Sequence, residues 1–293
     1  MPTILELPFM QGPTDPLSRS DSESDDGPSR RPAGWDCGPT GGGSGFRHEP
    51  AREPLFNLPG VVVGLIAVLV GVHLVRVFVL SQQTDFEFLL TFSFLPLRYA
   101  SPEVLSHALG GASLPGWEGA MVWTFVTYAF LHGSFTHLAF NCLWLAVFGS
   151  ALARRFGPAR FLGFSAATAI AGAALHLATH FGEVVPVVGA SAAISGHMAA
   201  VARFAFDNGG PLDMMRGHHL SAYRQPAISL AAALSNKQVL VFLGVWFAVN
   251  LVFGLGSLPM GGNAPTIAWE AHIGGFVAGL ALFSLFDPVL RRR

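Results

Sequence analysis

Charge is what this chain has least of: only 12% of its residues are Asp, Glu, Lys or Arg, about half the share in soluble domains. Neither sign dominates, with 17 basic against 18 acidic residues, and no basic stripe interleaves with aromatics, so a nucleic-acid partner is not expected. Cysteine is scarce too. Cys37 lies in a polar stretch and Cys142 in an apolar one, so a disulfide framework is excluded. His176 and His180 have the i, i+4 spacing of a helical metal pair, but Leu177-Ala178-Thr179 between them lacks the Glu of an HExxH metalloprotease. No metal and no cofactor is expected. Also missing is a basic start leading into an apolar core and a small-residue cleavage site, and the many early acids argue against a transit peptide. The first membrane helix is therefore expected to stay attached.

What the chain does have is apolar surface: 51% of residues are hydrophobic, with 25 Phe. Residues 1–54 are the exception. Rich in Ser, Asp, Arg and Gly, they bury too little to offset the entropy of ordering, and a disordered cytoplasmic tail is expected there. Residues 55–290 hold six apolar segments of about 16 to 23 residues, near the length that crosses a bilayer. They fall at about 58–80, 136–153, 161–180, 191–206, 239–258 and 267–286. The fold class is thus an all-α membrane protein of six transmembrane helices. Between the first two segments, 86–99 and 117–130 are interrupted by polar residues, Pro and Gly, and are expected to lie at the interface rather than cross.

Basic residues set the expected orientation, because Lys and Arg collect on the cytoplasmic side. Fifteen of the 17 fall in the tail, around 154–160, around 203–237 and at 291–293, leaving only Arg76 and Arg98 opposite. Both termini are expected in the cytoplasm. A bacterial plasma membrane is the expected setting, and the lipid bilayer the first partner.

Ser191 heads the fourth segment and His272 lies in the sixth, both near the outer side. Polar side chains are costly in lipid and point to function there. With the sixth helix starting near Thr266, His272 is expected about 9 Å below its top. A serine hydroxyl attacks only when a base takes its proton, and imidazole is the usual base near pH 7. Gly275 and Gly279 form a GxxxG that lets helices approach closely, and Gly189 relieves crowding ahead of Ser191. His137 and Asn141 share one helix face at the same depth and suit an oxyanion hole. His132, off that face, is expected to brace the loop by its hydrogen bonds. His73 and His197 read as packing histidines, His218-His219 as a solvated pair, and Asn250 as a helix-to-helix hydrogen bond. A transporter would show repeated hydropathy with broken helices in matching halves, which this chain lacks.

Taken together, His132-x4-His137-x3-Asn141, Gly189-x-Ser191 and Ala271-His272 with Gly275-x3-Gly279 resemble the rhomboid family of intramembrane serine proteases, over about residues 56–290. The resemblance implies a Ser191/His272 dyad without a third acidic member. It also implies oxyanion donors from Asn141, His137 and the Ser191 N–H, and substrates that are transmembrane helices cut near their outer ends. A rhomboid-like protein that binds such clients without cutting them is the alternative. The chain departs from the family pattern at Thr124 and Ala192, which bear on loop geometry, and at Ser195, which bears on the support of His272.

Overall fold

The computed structural model describes residues 58–289 except 112, 117, 207–210, 212–219 and 256–267, with only the backbone of 220 and 250–255. The tail 1–54, its boundary with the membrane domain, His218-His219, the side chain of Asn250, Thr266 and Arg291–Arg293 therefore lie outside the described residues.

The helices are α1 (Gly60–Phe78), α2 (Gln82–Phe92), α3 (Pro102–Leu109), α4 (Ala120–Thr127), α5 (Phe135–Trp144), α6 (Ser150–Phe156), α7 (Pro158–Thr179), α8 (Ser191–Val201), α9 (Leu230–Ser235), α10 (Lys237–Leu255) and α11 (Trp269–Phe286). A π-turn at Leu145–Gly149 joins α5 and α6 into one 22-residue span, Phe135–Phe156. No β-strand occurs among the described residues.

Among the described residues, four helices are long and apolar enough to cross a membrane: α1, the α5–α6 span, α7 and α11. The expected six separate here. Apolar sequence continues to Phe206, yet α8 stops at Val201 after 11 residues, ten of them buried. Its environment explains the length: α8 packs against α7 and α11, and only its first residue is not buried. Just beyond its end, the buried Arg203 donates from Nε and Nη2 to the Ile228 carbonyl at 3.0 and 2.9 Å, which pins the chain in a turn. α10 accounts for the expected fifth segment, and within it Lys237–Val249 forms a shorter apolar stretch. Many side chains of the long helices point outward, among them Val68, Phe140, Leu143 and Leu285, as a lipid solvent allows.

The 86–130 region folds into short helices of 8 to 11 residues, none long enough to span. Ser81 caps α2 by accepting from the Thr84 N–H, and Ser101 caps α3 in front of Pro102. Thr124, the departure from the family pattern, is buried and donates to the Ala120 carbonyl within its own helix. The tie across the loop comes from Arg98, whose guanidinium donates to the carbonyls of Leu90 and Pro115 at 2.8 and 3.0 Å.

Glycines place the three central helices in backbone contact. A Cβ on Gly172 of α7 would sit 2.7 Å from both the Ala192 Cβ and the Ala271 carbonyl oxygen. On α11, a Cβ at Gly275 would lie 2.7 Å from the Ala192 carbonyl carbon, and one at Gly279 would lie 2.7 Å from the Gly196 Cα. The Gly275-x3-Gly279 stripe is thus the seam with α8.

At the other end, Arg155 donates to both carboxylate oxygens of Asp287 at 2.9 and 2.8 Å, and to the carbonyls of Tyr223 and Gln225. The pair is 0% and 6% exposed. Removing one member strands a buried charge, so Arg155→Ala is expected to cost about 3–5 kcal/mol in equilibrium unfolding in mixed micelles.

Candidate active site

Ser191 is the first residue of α8, and His272 lies three residues into α11, whose packing brings the two helix starts together. The depth of His272 is smaller than expected. α11 begins at Trp269, so the imidazole is about 4.5 Å down the helix rather than about 9 Å. Ser191 Oγ and His272 Nε2 stand 2.7 Å apart, within hydrogen-bond reach of each other. Such a bond aligns the proton for transfer as the oxygen attacks an electrophile. Placement at the helix start adds a second feature. The first-turn N–H groups have no intrahelical carbonyl to bond, and they form the positive end of the helix dipole.

The loop before Ser191 is held on both sides. Phe94 and Val187 exchange backbone bonds of 3.1 and 2.8 Å, and the Gly189 N–H donates to the Tyr128 carbonyl at 2.9 Å. Tyr128 is fully buried, and its hydroxyl donates to the Ala169 carbonyl on α7. Gly189 adopts φ 116°, a conformation open to glycine. Its missing side chain is also a space requirement: a Cβ there would lie 2.7 Å from His137 Nε2 and 3.6 Å from Asn141 Nδ2. Those two polar atoms therefore flank the loop that delivers Ser191.

Their own positions follow from α5. Ser134 caps the helix by accepting from the His137 N–H at 3.1 Å, which fixes the turn carrying the imidazole. One turn later, buried Asn141 donates through Nδ2 to the His137 carbonyl at 3.1 Å. An amide nitrogen has two hydrogens, so one stays available to a ligand.

His132 supports the loop, but not through its ring. Neither ring nitrogen has a hydrogen-bond partner among the described residues, because the ring is buried edge-on against His137 at a 5.0 Å centroid distance. Burial first, and the neighbouring His137 next, push its pKa down to about 3, so the ring is neutral. The residue braces the loop through its backbone instead. Arg76 donates from Nη1 to the His132 carbonyl at 2.9 Å, while its Nε and Nη2 bind the Asp85 carboxylate at 2.7 and 3.2 Å. Arg76 was the signal available in the sequence, since a cation inside an apolar segment needs a partner. His73, also buried, sits edge-on to Phe135, and His197 Nε2 bonds Ser165 Oγ at 2.8 Å.

At position 195, Ser195 Oγ donates to the Ser191 carbonyl at 2.8 Å and presents no ring. Ala192, the other departure, fits where it is: its backbone receives Gly275.

A family profile described as Rhomboid domain matches residues 119–287, more than half of the chain. No curated protein matches it.

Proposed function

The chain belongs to the rhomboid family, and on that premise we propose that it is an intramembrane serine endopeptidase with Ser191 as nucleophile and His272 as its base. The 2.7 Å contact between them, made inside a bundle of apolar helices, carries this reading.

In the proposed reaction, His272 takes the Ser191 proton as Oγ attacks the scissile carbonyl, then gives it to the leaving amine. Water enters and the same base activates it to release the acyl group. The oxyanion is met by the Ser191 N–H, Asn141 Nδ2 and His137 Nε2, donors that flank the Gly189 loop. No third acidic member takes part. Substrates are transmembrane helices of other proteins, cut near the outer end, where small, helix-loosening residues free the amides that an intact helix hides. Both termini face the cytoplasm, and the protein resides in a bacterial plasma membrane.

Ser195 supports a second reading, a client-binding protein without turnover, because no aromatic ring from that position stacks on His272. Cleavage of a model transmembrane substrate by purified protein in liposomes separates the two. Turnover is expected, and Asn141→Ala should lower it by about 10²-fold through loss of one oxyanion donor. A folded wild type that binds the substrate and never cuts it contradicts the protease assignment.

A further inference from the structure

Beside the dyad, at the C-terminal end of α7 and the first turn of α11, His176, His180 and Glu270 converge. No glutamate lies between the two histidines in the sequence, but in the fold the carboxylate comes from a different helix. His176 Nδ1 is 4.0 Å from one Glu270 oxygen and His180 Nε2 is 4.0 Å from the other. One donor atom from each residue falls within 4.8 Å of the others.

We propose that these three residues bind a divalent cation of the zinc class, clamping the start of α11 to the end of α7 two residues before His272. Three observations converge on it. First, 4.0 Å is too long for a hydrogen bond. His176 Nδ1 is therefore buried, aimed at the cluster and without a hydrogen-bond partner among the described residues. Second, the hydrogen-bond surroundings of both rings fit the tautomer a metal needs. His176 Nε2 faces the Val185 carbonyl at 3.1 Å; a carbonyl only accepts, so the proton is on Nε2 and Nδ1 is bare. Thr179 Oγ1 lies 3.1 Å from the carbonyls of Leu175 and His176 and 2.9 Å from His180 Nδ1; with its single hydrogen on either carbonyl it accepts from His180 Nδ1–H, which leaves Nε2 bare. A ligating histidine is ordinarily oriented in this way, through a hydrogen bond from its other nitrogen. Third, two imidazoles and one carboxylate are a known zinc donor set, with a fourth position left to water.

Tetrahedral zinc at about 2.0–2.1 Å from its ligands holds them about 3.4 Å apart, so the site closes by about 1 Å on binding. His180 and Glu270 are only half-buried and at the ends of their helices, where such rotation is cheapest. Helix-end charge alone is the plainer reading, since a carboxylate in a first turn already favours the helix dipole. That reading leaves the bare, buried Nδ1 of His176 without a reason.

The test uses the full-length chain without an affinity tag, purified in detergent and stripped with chelator. Titration with Zn²⁺ is expected to show one-to-one binding and a rise in Tm, and Co²⁺ should give the visible absorption of a tetrahedral site. Glu270→Gln and His180→Gln, both in partly exposed positions, should each weaken binding by about 100-fold or more, and Thr179→Val by about 10-fold as the loss of an orienting partner. Any variant is first checked for wild-type helicity. Absence of saturable binding to folded wild type overturns the proposal, as does a Glu270→Gln protein that binds as tightly as wild type. None of these readouts depends on proteolysis, so the site and the protease reading stand or fall separately.

Discussion

Ser191→Ala is expected to leave a folded protein that cuts a transmembrane substrate about 10⁶-fold more slowly than wild type, below detection in an ordinary assay. The size follows from how a nucleophile and its base act as one unit: removing either costs nearly as much as removing both. Among the described residues the hydroxyl makes one hydrogen bond, the 2.7 Å bond to His272, and the substituted alanine keeps its place at the start of α8. Helicity and Tm should therefore change little. His272→Ala should have a similar effect on rate, and the double variant should be no worse than either single one. If Ser191→Ala cleaves at a tenth of the wild-type rate, Ser191 is not the nucleophile.

Gly275→Val is expected to destabilise the protein by about 3 kcal/mol, the upper end for overpacking, and to abolish cleavage with it. The first carbon of any side chain there would lie 2.7 Å from the Ala192 carbonyl carbon and 3.2 Å from the Ala192 Cα. Those are backbone atoms and cannot rotate aside, so α8 and α11 must part. Parting them separates Ser191 from His272, the pair that the seam holds in contact. Gly244 of α10 is the control. Among the described residues, nothing outside its own helix backbone lies within 4 Å of its would-be Cβ, so Gly244→Val should be close to neutral. Thermal unfolding in detergent, read beside the cleavage rate, checks both variants. Equal Tm values for the two would contradict the seam.

The residues brought together around Ser191 were legible in the sequence because intramembrane chemistry leaves few disguises. A hydroxyl, an imidazole and an amide are costly in apolar segments and stand out against Val, Leu and Phe. The i, i+4 spacing of His137 and Asn141 and the Gly275-x3-Gly279 stripe are local patterns, readable without a fold. Contacts between distant residues were not. Arg155 and Asp287 are 132 positions apart, and nothing local couples them. Glu270 reaches His176 and His180 only through the packing of α11 on α7. The length of α8 was misjudged for a related reason. Hydropathy reports that residues 191–206 are apolar, but not that most of them are buried within the fold. For His132 the sequence implies loop support but not which atom gives it, and in the fold the backbone carbonyl makes the bond that holds the loop.

Peptide-bond hydrolysis here requires an activated hydroxyl at Ser191, and the most direct measurement is its reaction with a fluorophosphonate, located by mass spectrometry on the purified protein. One adduct per chain is predicted, on Ser191, absent from Ser191→Ala and strongly slowed in a folded His272→Ala protein. An adduct on another residue contradicts the account. So does folded wild type that takes up no label, or labelling of Ser191 that His272→Ala leaves unchanged.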